Sequence, residues 1–277
     1  MLEKMFTQTS RAKFFGRLFI ACIALYFICR WRANQLPSPS QIMPSLLNDP
    51  EQTETSRETF TASAGHIVYT IDPVFNYDIQ GMVVSCSTAF SFDDIYHRNW
   101  QDHLNPKDLA LIWGKNTSSG IYQSLNFSSG SWTAYVETKY FSKHVNWADF
   151  NTAQWSNNHL LCNDSALLRK IRQVERGDQV RIKGMLAEYS HSQGAFHRGT
   201  STTRTDTGSH ACETIFVEEF EVLRWANLPW RYLRTLTFWS ALLSGIACVW
   251  FYFRAPIVDN GTQDENEAEV EDLNPLV

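Results

Sequence analysis

Hydrophobic and polar positions divide the chain into two apolar ends and an alternating middle. Residues 235–253 form an apolar stretch without a charged side chain, between Arg234 and Arg254. As a helix, this stretch would extend about 28 Å, close to the hydrocarbon thickness of a bilayer. Aromatic residues cluster at both of its ends, where their amphipathic rings suit the headgroup level. The pattern predicts a transmembrane helix over 235–253.

A shorter apolar segment lies near the N-terminus. Residues 18–29 are apolar, and four basic residues precede them: Lys4, Arg11, Lys13 and Arg17. This order is typical of a secretory signal, but Arg30 and Arg32 stand where a cleavage site needs small, uncharged residues. An uncleaved signal-anchor helix over 14–32 is therefore favoured over a cleaved signal peptide. We expect residues 1–13 in the cytoplasm and the middle of the chain across the membrane.

The middle of the chain carries the pattern of a β-rich domain. Short runs of β-branched and aromatic residues alternate with turn signals, among them Asp72-Pro73. In 180–186, Val180 and Ile182 share one face while Arg181 faces the other. We expect a mainly β (α+β) domain over 61–230. Its predicted strands are 66–71, 77–90, 110–114, 131–141, 180–190 and 213–223.

One amphipathic helix interrupts the strands. Asn163-Asp164-Ser165 offers N-cap side chains, and Gly177 offers an end. Four residues form the apolar stripe between them: Leu167, Leu168, Ile171 and Val174. Gly184, inside the strand that follows, predicts a bulge or a close backbone approach. A helix that leads into a bent strand suggests a small OB-like barrel. Residues 93–100 suggest a second, shorter helix.

Two segments have the composition of disordered chain. Residues 33–60 contain four of the nine prolines among polar residues, and predict a tether between helix and domain, although Ile42-Met43 and Leu46-Leu47 form a short apolar patch. Residues 254–277 predict an acidic disordered tail. The net charge of −5 argues against a nucleic-acid-binding protein, which usually carries a basic excess.

The densest set of chemically active side chains lies in the block 198–213. A thiol nucleophile requires a nearby base, so the candidate catalytic residues are His159, Asp206, His210 and Cys212, with Asn157 or Asn158 to orient His159. Asp206-Thr207-Gly208 resembles the aspartic-protease triplet, but no second triplet exists and the sequence is also that of an ordinary turn. The candidate binding residues are Arg198, Arg204, Asp206 and Glu213.

Metal binding and disulfide formation are weakly indicated. His103, His159 and His210 would be the ligands of a metal-binding domain, but no CxxC or HExxH spacing occurs, and we predict no metal site. The sequence does not indicate which cofactor, if any, the protein uses. Another scattered polar set consists of His97, His103, Asp94 and Asp102.

Three cysteines lie outside the apolar spans, namely Cys86, Cys162 and Cys212. In an oxidising compartment one pair of them would form a disulfide, and three pairings are open.

From residue 67 to 223 the chain resembles a family of uncharacterised bacterial membrane or envelope proteins. The resemblance rests on five segments, which are GMVVS (81–85), NPKDL (105–109), SNNHL (156–160), GDQV (177–180) and RGTSTTRTDTGSHACE (198–213). It implies a single domain over this region. Because that family has no assigned reaction, it brings no catalytic residue to this chain.

These observations together predict a membrane protein of the bacterial envelope. We expect an inner-membrane protein with its central domain in the periplasm, where that domain mediates binding or assembly of a membrane complex. The expected partners are the lipid bilayer and another membrane protein. The alternatives are an extracytoplasmic hydrolase or thiol enzyme built on the catalytic candidates, and a metal-binding domain. No substrate is predicted.

Overall fold

The chain forms two compact units in the computed structural model: a helical unit from both chain ends and a β-rich unit over Arg32–Leu228. The described residues are 2–89, 94, 96–130, 133–140, 145–193, 196–206 and 211–255. The acidic tail from 256 onward therefore lies outside them.

The helices and strands follow each other in a mixed order. The helices are α1 (Leu2–Ala33), α2 (Tyr96–Trp100), α3 (Lys115–Ser118), α4 (Ser165–Gln173) and α5 (Leu228–Phe253). The strands are β1 (Glu51–Glu54), β2 (Phe60–Ala64), β3 (Ile67–Thr88), β4 (Lys107–Ile112), β5 (Leu125–Gly130), β6 (Thr133–Thr138), β7 (Trp155–Leu161), β8 (Gln179–His191), β9 (Phe196–Arg198) and β10 (Cys212–Arg224). Short 3₁₀ turns connect several of them.

The helical unit contains two helices that are long and apolar enough to cross a membrane. Their apolar segments are Gln8–Ala33 and Leu228–Phe253, of 26 residues each. Phe15 stacks on Phe251 with ring centroids 5.5 Å apart. Glycines allow the close approach, since a Cβ at Gly245 would lie 3.2 Å from Phe19. Most large apolar side chains of this unit stay exposed, as expected of surfaces that face lipid.

Five strands of the β-rich unit pair in a closed ring, in the order β3–β4–β7–β10–β8–β3. Strands β7 and β10 are parallel, and the other four pairings are antiparallel. The run β8–β3–β4–β7 has Greek-key order. Strands β1 and β2 extend β3, β9 extends β8, and β5–β6 is a separate hairpin. The mixed, β-rich domain is confirmed; the pairings show a ring and do not support the narrower expectation of an OB-like barrel.

The ring encloses an apolar core that α4 covers. The Asp164 carboxylate accepts hydrogen bonds from the Ala166 and Leu167 backbone N–H groups, each at 2.8 Å. This N-cap confirms the predicted helix start. The predicted stripe Leu167, Leu168, Ile171 and Val174 packs into the core cluster. The helix ends at Gln173 rather than near Gly177.

Gly184 lies where β8 and β10 approach each other most closely. A Cβ at this position would lie 2.0 Å from the Phe216 carbonyl oxygen. The β8–β10 register shifts between Val217 and Glu219, next to the Gly184 pair. The expected close backbone approach is confirmed, because only a residue without a side chain fits against the partner backbone; the extra residue of the register shift lies opposite, in β10.

Besides the unpredicted strands β1, β2, β5 and β9, the sequence analysis misjudged two features of the ring. The turn signal Asp72-Pro73 lies inside β3, which runs through it for 22 residues. Proline lacks a backbone N–H, and the β3–β8 register shifts between Pro73 and Phe75, where the ladder tolerates that loss. Strand β7 was not predicted, because Ser156 to His159 are polar. All four of these residues are nevertheless buried in the centre of the sheet.

The segment 33–60, predicted to be a disordered tether, is folded against the sheet. Leu46 is fully buried beside Met82 and Tyr122. Strand β1 pairs with Phe75–Asp78 of β3. Leu36, Ile42 and Met43 pack against the same cluster. Four apolar side chains of the segment therefore reach one cluster, which its average composition concealed.

A turn at 177–179, which we call the junction turn, binds the segments at both ends of the β-rich unit. Asp178 accepts a hydrogen bond from the Ala226 backbone at 2.7 Å. Gln179 accepts one from the Met43 backbone at 2.7 Å and donates one to the Gln41 carbonyl at 2.8 Å. The segment that follows α1 and the segment that precedes α5 are thus held by the same buried turn.

Candidate functional site

A buried aspartate and histidine meet where β4 pairs with β7. Asp108 and His159 are register partners, so their side chains share a face. The His159 Nδ1 lies 2.7 Å from the Asp108 Oδ1, and neither residue is more than 2% exposed. A carboxylate only accepts hydrogen bonds, so we assign the proton to Nδ1. The other ring nitrogen, Nε2, is then an acceptor.

That acceptor nitrogen is already occupied. The Arg198 guanidinium of β9 donates a hydrogen bond to His159 Nε2. Burial and the nearby positive charge of Arg198 lower the pKa of His159 by more than Asp108 raises it, so the ring is neutral at pH 7. Burial raises the pKa of Asp108, but its contacts with His159 and Arg198 lower it by more. Asp108 therefore remains a carboxylate.

A second aspartate–histidine pair adjoins the first. The His97 Nδ1 lies 3.0 Å from an Asp94 carboxylate oxygen. The Asn105 side-chain amide links the pairs, since its nitrogen lies 2.8 Å from Asp108 Oδ1 and 3.3 Å from His97 Nε2. We call these six residues the histidine cluster, namely Asp94, His97, Asn105, Asp108, His159 and Arg198. In both pairs a carboxylate orients a ring whose second nitrogen meets a donor.

The candidate thiol lies beside this cluster without touching the base. Cys212 is the register partner of Asn157 across β7 and β10. The Asn157 amide nitrogen lies 3.7 Å from the Cys212 sulfur and 3.5 Å from His159 Nε2. The amide thus lies between thiol and imidazole. Burial raises the pKa of the Cys212 thiol, which disfavours the nucleophilic thiolate.

Arg204 and Glu213, two of the predicted binding residues, form a separate ion pair. The Arg204 guanidinium carbon lies 5.1 Å from the Tyr77 ring centroid and 5.6 Å from that of Trp113. Its guanidinium also donates to the Tyr77 hydroxyl. Burial raises the pKa of Glu213 to about 7, against the opposing effect of Arg204. We call Tyr77, Trp113 and Glu213 the aromatic cage.

The other candidate residues have different environments. Asp206 accepts a hydrogen bond from Ser201 Oγ at 2.6 Å and so binds within its own loop. His210 lies outside the described residues. His103 lines a cavity of about 390 Å³ with Arg172, and none of the six residues of the histidine cluster lines that cavity. Among the residues that the structure describes, no group of three or more His, Cys, Asp or Glu side chains is arranged to hold a metal ion.

None of the six cysteines, all of which the structure describes, forms a disulfide. Cys212 pairs with Asn157 near the start of β7, whereas Cys162 follows its end. Five residues of strand separate these levels by about 16 Å, well beyond the ~7 Å that a disulfide spans between Cα atoms. The pairing of Cys162 with Cys212 is therefore excluded in this fold.

Several members of these sites were missed by sequence reasoning. Asp108 carried a usable signal, because it is an acid within the otherwise apolar run that became β4. Tyr77 and Trp113 carried none, since aromatic residues in strands are ordinary core residues. Comparison with protein families, with curated proteins and with solved structures finds no match to this chain. The resemblance to the uncharacterised family thus stays a prediction.

Proposed function

We propose that this protein is a membrane-anchored binding protein whose β-rich unit recognises a partner or ligand and does not catalyse a reaction. One observation carries the proposal: Arg198 occupies the His159 nitrogen that a general base would need. A base must reach the proton that it removes. The histidine cluster is thus a positioning network for Arg198, a side chain suited to binding.

Membrane attachment is the second part of the proposal. The two apolar helices are long enough to anchor the chain at both ends of the β-rich unit. We place the β-rich unit in the periplasm of a bacterial inner membrane, together with a membrane-protein partner.

Topology is tested by reporter fusion. Alkaline phosphatase joined after Leu228, ahead of the apolar part of α5, should be active, since this enzyme needs the oxidising compartment for its disulfides. A green fluorescent reporter at the same position should be dark after Sec-type export. The opposite pair of results would place the β-rich unit in the cytoplasm.

A thiol enzyme is the second candidate, favoured by the chain of contacts from Cys212 through Asn157 to His159. It predicts an activated thiolate, which the raised pKa of Cys212 argues against. The two candidates differ in how fast this thiol reacts at neutral pH.

The experiment uses full-length protein in detergent in which Cys212 is the only cysteine. Its iodoacetamide alkylation is followed from pH 6 to 10, with the unfolded protein in urea as control. A binding protein should react at least tenfold more slowly than the unfolded control at pH 7, and only accelerate at alkaline pH. Fast alkylation at pH 6–7 that His159→Gln abolishes would establish the enzyme instead.

A further inference from the structure

The aromatic cage is built from fixed elements of the ring and filled by a loop. Tyr77 belongs to β3, Trp113 directly follows β4, and Glu213 belongs to β10. All three side chains are buried. Arg204 comes from the irregular loop after β9 and is partly exposed, with 24% of its side chain accessible. The residues that form the cage are therefore held by the sheet, whereas the guanidinium group that occupies it belongs to a partly exposed loop residue.

Arg204 leaves one hydrogen-bond acceptor of the aromatic cage without a donor. Arg204 engages Oε1 of Glu213, and its second nitrogen turns to the Tyr77 hydroxyl. The Glu213 Oε2 is buried and has no hydrogen-bond partner. Its register partner on β7, Asn158, likewise has a buried side-chain oxygen without one. Buried acceptors of this kind are costly, and a carboxylate can receive two parallel hydrogen bonds from one guanidinium.

Two hydrogen bonds hold the described part of the loop independently of the Arg204 side chain. The Ser201 hydroxyl donates to Asp206, and the Ser201 backbone N–H donates to the Cys212 carbonyl at 2.9 Å. Neither bond involves the Arg204 side chain. Withdrawal of Arg204 from the cage therefore breaks neither of these bonds, including the one that joins the loop to β10.

We infer that Tyr77, Trp113 and Glu213 form a binding site for a guanidinium group, and that Arg204 occupies it as an internal substitute when no ligand is bound. Two aromatic faces and a desolvated carboxylate are the groups that recognise a planar, delocalised cation. A ligand free of the loop's constraint would reach both Glu213 oxygens, which Arg204 does not. This inference rests on the proposed binding function and names its ligand class.

Competition with Arg204 sets the affinity. A tethered group acts at an effective concentration in the millimolar range, so a free ligand binds the wild-type protein weakly until Arg204 is removed. Arg204→Ala should therefore strengthen binding. The site also prefers guanidinium over ammonium, because an ammonium does not present a planar fork to the carboxylate.

The test titrates agmatine, a small guanidinium compound, into full-length protein in detergent micelles, by calorimetry and thermal shift. We expect Arg204→Ala to bind agmatine at least tenfold more tightly than wild type. The double variant Arg204→Ala, Glu213→Gln should lose this binding, and n-butylamine should bind Arg204→Ala at least tenfold more weakly than agmatine. Arg57→Ala is the matched control, since Arg57 also lies over an aromatic ring, Phe60, and pairs with Glu218, but at an exposed position. It should create no agmatine site.

The inference is overturned if Arg204→Ala binds no agmatine, or if binding persists without the Glu213 carboxylate. Should Arg204→Ala fail to fold, Arg204→Gln is titrated in its place: saturable agmatine binding that an added Glu213→Gln abolishes supports the inference, and its absence overturns it. If the guanidinium inference is overturned, the slow alkylation of Cys212 still supports the proposed binding function. Conversely, a reactive Cys212 would overturn the proposed function but would not bear on the guanidinium site.

Discussion

At the scale of single residues, this protein buries charged groups and meets each of them with specific neighbours. Asp108 contacts His159 and Asn105, and Glu213 contacts Arg204. The pKa values of the two carboxyls nevertheless change in opposite directions. The pKa of Asp108 is lowered, whereas that of Glu213 is raised to about 7. Each carboxyl has one buried oxygen without a hydrogen-bond partner, so the difference follows from their other neighbours. His159, Arg198 and Asn105 together outweigh the effect of burial on Asp108, whereas Arg204 does not outweigh burial and the nearby Asp206 at Glu213.

The raised pKa of Glu213 predicts how stability depends on pH. In the folded chain this carboxyl holds its proton up to about pH 7, whereas its ordinary pKa is 4.5. The folded state therefore binds more protons between these values, and stability falls as the pH rises through this window. The loss amounts to about 3 kcal/mol at most. The groups that face Glu213 are Arg204, which opposes the shift, and Asp206, which increases it.

The measurement compares urea unfolding of wild type and Glu213→Gln from pH 5 to 8. Because other groups titrate in both proteins, the quantity of interest is the difference between their free energies of unfolding. This difference should move in favour of Glu213→Gln as the pH rises to 7 and level off above it. Parallel curves across the whole range would contradict the raised pKa.

At the scale of elements, the pairing of strands depends on close backbone contact at a few positions. The contact between β8 and β10 at Gly184 is the tightest of these, and it joins two strands of the ring. The contact between β3 and the segment 33–60 depends on a buried side chain, Leu46, and not on a close approach of two backbones. Each contact yields a prediction with a matched control.

Gly184→Ala should destabilise the protein by about 3 kcal/mol, because the new methyl group would overlap the Phe216 carbonyl and force the strands apart. Gly199→Ala is the control, since its Cβ would meet nothing closer than 3.7 Å. The control should stay within about 0.5 kcal/mol of wild type in urea unfolding. Equal effects of the two substitutions would refute the close approach.

Leu46→Ala should cost about 3 kcal/mol, because it leaves a cavity beside Met82 and Tyr122. Leu47→Ala should have little effect, since Leu47 is 48% exposed. Limited proteolysis provides a second readout: the segment 36–54 should resist cleavage in wild type and Leu47→Ala, and become sensitive in Leu46→Ala. Rapid cleavage of this segment in wild type would show that it is a disordered tether, as its composition predicted.

At the scale of the whole molecule, the β-rich unit has both of its chain ends bound to one buried turn. The junction turn holds the segment after α1 through Gln179 and the segment before α5 through Asp178. The Asn227 amide adds a direct link, since it donates to the Gln35 carbonyl at 2.7 Å. The β-rich unit thus carries its own connection between the two chain ends that lead to the apolar helices.

Asp178→Ala should loosen the segment before α5, because the Ala226 backbone loses its buried acceptor. Trypsin cleavage after Arg224 in detergent should accelerate about tenfold, in proportion to the population of the opened segment. Asp149→Ala removes an exposed aspartate that pairs with Lys115 and serves as control. An unchanged cleavage rate in Asp178→Ala would show that this hydrogen bond does not hold the junction.

Local patterns in the sequence determined those features whose physics is local. The apolar ends follow from length and lack of charge, and α4 follows from its cap and its stripe of Leu167, Leu168, Ile171 and Val174. The alternation in β8 follows from the two-residue period of a strand. Each of these signals lies within one element and needs no knowledge of the element's partner.

Only the tertiary structure decided what depends on distant partners. Strand β7 is polar, and it lies in the sheet centre because β4 and β10 supply neighbours for its side chains on both sides. His97 and His159 are 62 positions apart and meet through Asn105 and Asp108. Trp113 and Arg204 meet although 91 residues separate them. Burial of a polar group is favourable only once its partner is in place, and the sequence order of the residues does not specify that partner.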